Sequence, residues 1–128
     1  MRDEQRGDGD RGRPFRVEMT TLALGQATVT VRGELDVFTA PRLHDALAQS
    51  VELGARRIVV DLARVTFIDS TALGVLIRVG RELRAGDGSL DLVCQNDNVR
   101  RVLELTGLDA VFAIHSSLAG ALDAGPSS

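Results

Sequence analysis

The chain has no tryptophan and no tyrosine, and its aromatic content rests on four phenylalanines. It offers almost no stacking platform for unpaired bases, and a formal net charge of -3 supplies no cationic field for a phosphate backbone. Nucleic acid is therefore not an expected partner. Lysine is absent as well, so every permanently basic side chain is arginine, a bias of composition to which no role attaches. The single cysteine excludes a disulfide within the chain. Cys94 falls in the alternating run "SLDLVC", where a buried thiol behaves as a small hydrophobe. No apolar run approaches the length of a membrane span, and "MRDEQRGDGDRGRP" at the start is charged and glycine-rich, with no apolar secretion core. The expectation is a soluble, cytoplasmic protein with no membrane partner.

What is present is enough for one hydrophobic core: 128 residues at 44% apolar content support one domain and not two. Residues 1–14 have nothing to bury and are expected as a disordered charged tail, with 125–128 as a flexible C-terminus and a single domain over 15–124.

Past that tail the pattern becomes periodic. "FRVEMTTLAL" and "QATVTVRG" alternate, are rich in Val and Thr, and are separated by Gly25, which predicts an antiparallel pair opening a sheet. In "ELDVFTAPRLHDALAQSVELG" the residues Leu43, Ala46, Leu47 and Val51 fall at helical spacing; Pro41 fits only a first turn, and Gly54 is a stop. "RRIVVDL" reads as a short buried strand because its apolar run is continuous. A helix follows from Ser70 to Ala85, ended by "GDG", and then the strand "SLDLVC". "NVRRVLELTG" predicts a helix closed by Gly107, with Val99, Val102, Leu103 and Thr106 on one face. "AVFAI" reads as an edge strand with His115 in the turn beyond it, and "SSLAGALDA" as a last short helix with Leu118, Ala121 and Leu122 inward. The order β-β-α-β-α-β-α-β-α implies an α/β fold. Its mixed sheet starts with a hairpin, becomes parallel, and carries its helices mainly on one face.

The stretch "FIDSTALGVL" sets a carboxylate and a hydroxyl where the strand region hands over to the long helix. At about 100° per residue, Ala72, Leu73, Val75, Leu76, Val79, Gly80 and Leu83 share one arc that faces the sheet. Ser70 heads an opposite stripe with Thr71, Gly74, Arg78, Arg81 and Glu82, and Ile77 lies at its boundary. Gly74 costs about 1 kcal/mol relative to Ala in a helix interior, and on an exposed face the usual reason for it is close approach by another surface. Two readings of Ser70 stay open here. It is either one more N-cap, since Asp and Ser both start helices, or a hydroxyl presented for recognition. Asp36, in "GELDVFTAP", reaches the same rim if the second and third strands are neighbours, as a turn residue or as a binding residue. A hydrolase centred on Ser70 would need a base and an oxyanion site, and His44 and His115 form no recognisable constellation with it. "IDSTA" is not G-x-S-x-G, and no metal-ligand, Walker or dinucleotide pattern occurs. The residues point to a binding module and not to an enzyme, with no cofactor and no metal.

Taken together, "GELDVFTAPRL", "VVDLARVTFIDSTALGVL" and "GLDAVF" resemble the anti-sigma factor antagonist family, whose fold is the STAS domain. The resemblance runs from Phe15 to Leu122, with three separated motifs in order. It implies that Ser70 is phosphorylated by a partner serine kinase that is itself the anti-sigma factor. The unphosphorylated form would bind that kinase and free a sigma factor, and a serine phosphatase would reset the switch. Asp36 matches the acidic residue of the family's first loop and Asp69 the one before the phosphorylated serine. The implied partner surface is Asp36, Asp69, Thr71, Gly74, Ile77, Arg78 and Arg81. Ala72 departs from the family, whose members often carry Gly there, and the charged N-terminal stretch is extra. The same fold also serves in unphosphorylated scaffold subunits of stress signalling or lipid transport, and that alternative remains beside the switch, with a small hydrolase a distant third.

Overall fold

Val and Thr alternate through β1 (Arg16–Leu22) and β2 (Gln26–Leu35), and the two strands pair antiparallel from Arg16 opposite Arg32 to Leu22 opposite Gln26. The computed structural model describes residues 14–22 and 24–125. The expected tail, apart from Pro14, and residues 126–128 lie outside them. Beyond the hairpin follow α1 (Ala40–Glu52), β3 (Arg57–Ile68), α2 (Ser70–Ala85), β4 (Ser89–Val93) and α3 (Asp97–Leu105). A single 3-10 turn (Leu108–Ala110), β5 (Ile114–His115) and α4 (Leu118–Ala124) complete the described chain. The sheet order is β1-β2-β3-β4-β5, and all pairings after the hairpin are parallel. The expected α/β fold, with its N-terminal hairpin, is the one found.

The pleat sends Ile58, Val60, Leu62, Leu90 and Leu92 to one face of the sheet. There the buried residues of α1, α2 and α3 join them in one large core. On the other face Val59, Val93 and Ala121 form a small cluster under α4. Helices thus pack mainly on one face, with α4 alone on the second.

Several local expectations are corrected. In α1 it is Ser50 that is buried, not Val51. Ser50 lies on the line of Leu43 and Leu47, and its hydroxyl donates to the Ala46 carbonyl at 2.9 Å, so burial leaves no polar atom unpaired. β3 runs twelve residues, well past "RRIVVDL", because β2 continues to pair with it through two register shifts. "AVFAI" is not a strand. Phe112 drops into the core over Gly80, where an added Cβ would stand 2.6 Å from the ring, and only Ile114 and His115 reach the sheet. Thr106 is exposed and folds its hydroxyl back on the Val102 carbonyl at 2.7 Å, and Leu122 is exposed on α4.

His115 is not a turn residue. Its Nε2 lies 3.0 Å from Asp91 Oδ2, and the same carboxylate oxygen receives Arg57 Nη2 at 3.0 Å. Arg57 also donates to the Ala121 carbonyl of α4 at 2.8 Å and to Gln26 Oε1 at 3.2 Å. This charged network is buried beneath α4, on the face away from the large core. Cys94 is buried as expected, and burial pushes its thiol pKa up, with Arg100 partly opposing.

Candidate functional site

β2 and β3 run parallel and finish level, with Leu35 opposite Ile68, and the Asp69 N–H donates to the Leu35 carbonyl at 3.0 Å. Both strands therefore deliver their following helices, α1 and α2, at the same rim. Asp69 adopts an extended conformation and is the N-cap of α2: its Oδ1 accepts from Thr71 N–H at 2.9 Å and Ala72 N–H at 3.2 Å. Ser70 is then the first helical residue. It is exposed, and its hydroxyl makes no hydrogen bond among the described residues. Of the two readings of "DS", the cap falls to the aspartate and leaves the serine hydroxyl unengaged.

The buried residues of α2 are the seven of the expected arc, Ala72 among them, so the departure at Ala72 faces the core and does not alter the exposed stripe. Thr71, Arg78, Arg81 and Glu82 are exposed, and neither arginine forms an ion pair among the described residues. Gly74 has open space, with nothing within 4 Å of an added Cβ. Ile77 is half-buried and packs against the large core, so it edges the stripe and is not fully part of it.

Asp36 sits in the turn between β2 and α1. Its Oδ1 accepts from Phe38 N–H at 2.9 Å and Thr39 N–H at 3.0 Å, while the Thr39 hydroxyl accepts from Asp36 N–H at 2.9 Å and donates to the Glu34 carbonyl at 2.7 Å. The turn reading of Asp36 accounts for this oxygen.

Two features at the rim were not read from the sequence. Between α1 and α2 a groove of about 290 Å³ opens beside the stripe, walled by Pro41, His44 and Asp45 on one side and Thr71, Val75 and Arg78 on the other. His44 and Pro41 lie three residues apart on α1, a spacing that signals a shared face but not which helix it meets. Phe38, in the turn after β2, and Phe67, one residue before the end of β3, are 85% and 48% exposed. Their positions beside Asp36 and Ser70 in the two motifs were the available signal. No Ser–His pair forms among the described residues, since His44 Nδ1 contacts Asp45 at 3.7 Å and His115 is held by Asp91. No described helix is long and apolar enough to cross a membrane.

Fold and rim together define a small α/β domain that presents a serine hydroxyl at a helix start. It belongs to the STAS domain family, whose model matches residues 19–121. Within reach of that family, an anti-sigma-B factor antagonist of Staphylococcus aureus (strain NCTC 8325 / PS 47) is 39% identical over 80 residues, 62% of this chain and 74% of the relative. The crystal structure of an anti-sigma factor antagonist from Mycobacterium paratuberculosis is similar at a TM-score of 0.79 and 31% identity, over 87% of this chain and 93% of that one. The Bacillus cell fate determinant SpoIIAA in its phosphorylated form shares the fold, at a TM-score of 0.65 and 23% identity over 86% of this chain and 97% of that one.

Proposed function

We propose that this chain is an anti-sigma factor antagonist acting in the cytoplasm as a non-enzymatic switch. In its unphosphorylated form it binds an anti-sigma factor serine kinase and so frees a sigma factor; phosphorylation of Ser70 ends the binding, and a serine phosphatase restores it. The observation that carries the reading is the Ser70 hydroxyl, exposed at the start of α2 while Asp69 takes both cap bonds. A helix start whose cap is already supplied has no structural need of a second hydroxyl. The names of the relatives, anti-sigma-B factor antagonist and anti-sigma factor antagonist, support the class of partner. The surface proposed for that partner is the stripe from Ser70 and Thr71 through Gly74 to Arg78 and Arg81, edged by Ile77, with Asp36 and Asp69 shaping its rim.

The test is phosphorylation with ATP by serine kinases of the anti-sigma type from the same genome, with the site mapped by mass spectrometry. Ser70 is expected to carry the phosphate, and Ser70→Ala is expected to stay bound to the kinase in the presence of ATP. Stoichiometric phosphate on the Ser70→Ala chain at another residue would refute the assignment.

The stripe makes its own prediction at Gly74. Since nothing lies within 4 Å of an added Cβ, Gly74→Arg is accommodated by the fold and should gain up to about 1 kcal/mol of helix stability. The same side chain stands in the way of any surface that approaches α2 closely, so kinase affinity should fall at least about tenfold. Calorimetric titration beside a thermal melt separates the two effects, and unchanged affinity would show that no partner approaches along this helix.

A further inference from the structure

Two of the chain's four phenylalanines are exposed, and both stand at the Ser70 rim. Phe112 is buried, and Phe15 is half-buried with the Arg42 guanidinium 4.9 Å from its ring centre. Phe38 is the more exposed of the pair at 85%, yet its backbone is tightly held. Asp36 Oδ1 takes the N–H of Phe38 and of the next residue, and the Thr39 hydroxyl ties the turn to Glu34. An aromatic side chain on a backbone that needs no further ordering loses little freedom on burial, which is the property of an interface anchor. The turn is joined to the serine through the Leu35 carbonyl, which accepts the Asp69 N–H, and Phe67 lies opposite Glu34 on the neighbouring strand.

Any kinase that transfers a phosphoryl group to Ser70 Oγ must bring its nucleotide to that hydroxyl and so covers the residues around it. We propose that Phe38, supported by Phe67 at the end of the neighbouring strand, is the apolar anchor by which the Ser70 kinase grips this chain, and that Asp36 serves that grip by positioning Phe38. This rests on the reading of Ser70 given above. The partner surface it requires has an apolar recess for the aromatic rings, and carboxylates facing Arg78 and Arg81, whose charges have no counterpart among the described residues.

The probe is a purified serine kinase that phosphorylates the wild-type chain on Ser70, held with ADP so that no transfer occurs, and titrated calorimetrically. Phe38→Ser should weaken binding at least about tenfold and Phe67→Ser by about threefold or more. Leu105→Ser, a change at an exposed apolar residue on α3, should leave affinity unaltered. Asp36→Asn keeps the acceptor oxygen without the charge and should bind within about threefold of wild type, whereas Asp36→Ala should lose as much as Phe38→Ser. Far-UV spectra and melts establish that each variant is folded. If no kinase phosphorylates the wild-type chain on Ser70, the proposed function fails and the anchor with it. If Ser70 is phosphorylated but Phe38→Ser binds within about twofold, the anchor alone is overturned. Equal losses for Asp36→Asn and Asp36→Ala would overturn the positioning role. A lower solution mass for Phe38→Ser with unchanged kinase affinity would assign the rim to self-association and overturn the anchor as well.

Discussion

Arg57→Met is expected to lower folding stability by about 3 kcal/mol, the low end of the cost of breaking a buried ion pair from one side. Arg57 is 3% exposed and Asp91 not at all, so removal of the guanidinium leaves a carboxylate in a place that water does not reach. His115 Nε2, at 3.0 Å, still supplies one donor, which is why the estimate sits low in the range. The second loss is at α4. The Ala121 carbonyl belongs to the last turn of that helix, where carbonyls lack intrahelical partners, and Arg57 is the cation that answers it. Arg57→Met/Asp91→Leu removes both charges together and should recover most of the loss, because the pair carries its own desolvation cost. Arg57 Nε has no hydrogen-bond partner among the described residues even in the intact network. Urea unfolding of Arg57→Met, Asp91→Leu and the double variant gives the double-mutant cycle, and a double variant no more stable than Arg57→Met would mean that the pair is not the cause. Since the network lies under α4, on the face away from the large core, folded Arg57→Met should keep wild-type affinity for the kinase.

The same network marks what could not be read in advance. Arg57, Asp91 and His115 are 34 and 24 residues apart, and each falls in a stretch whose local pattern says only strand or turn. Their meeting depends on β3, β4 and β5 lying side by side, which periodicity does not encode. By contrast α2 was legible to the residue. Its apolar arc repeats over four turns, and strong signals stand at both ends, Asp69 before it and "GDG" after it. The strand at "RRIVVDL" is legible from its continuous apolar run, which stops at Leu62; "ARVTF" departs from that run, and the strand's extension to Ile68 is dictated by the length of β2 paired with it. "AVFAI" had the composition of a strand, but the space over Gly80 draws Phe112 out of the sheet. At the rim, Ser70 and Asp36 were legible as motif residues, while the exposure of Phe38 was not. A phenylalanine beside a helix start is ordinarily read as core, whereas here it stands exposed on the turn that Asp36 and Thr39 build.

Phosphorylated at Ser70, the chain is expected to keep its far-UV spectrum and its melting temperature nearly unchanged while its affinity for the kinase falls at least about tenfold. The phosphoryl group adds about 1.5 to 2 negative charges at the first residue of α2. A helix N-terminus favours such charge by about 0.3 to 1 kcal/mol, but Asp69 already occupies the N–H groups of Thr71 and Ala72 and stands next to the phosphate. Favourable dipole and unfavourable neighbour therefore offset each other, and the fold survives. Ser70 is also exposed and its hydroxyl makes no hydrogen bond among the described residues, so modification breaks no described contact of the chain itself. The interface has no such compensation. On the proposed interface, a surface that fits a neutral hydroxyl would meet a phosphate where it held no charge, and misplaced charge across an interface costs several kcal/mol, or orders of magnitude in affinity. Circular dichroism and thermal melting of stoichiometrically phosphorylated chain, beside calorimetric titration with the kinase, measure both sides of this balance. A large loss of helicity on phosphorylation would place the switch inside the domain, with α2 melting from its N-terminus, and the electrostatic account of the interface would fall.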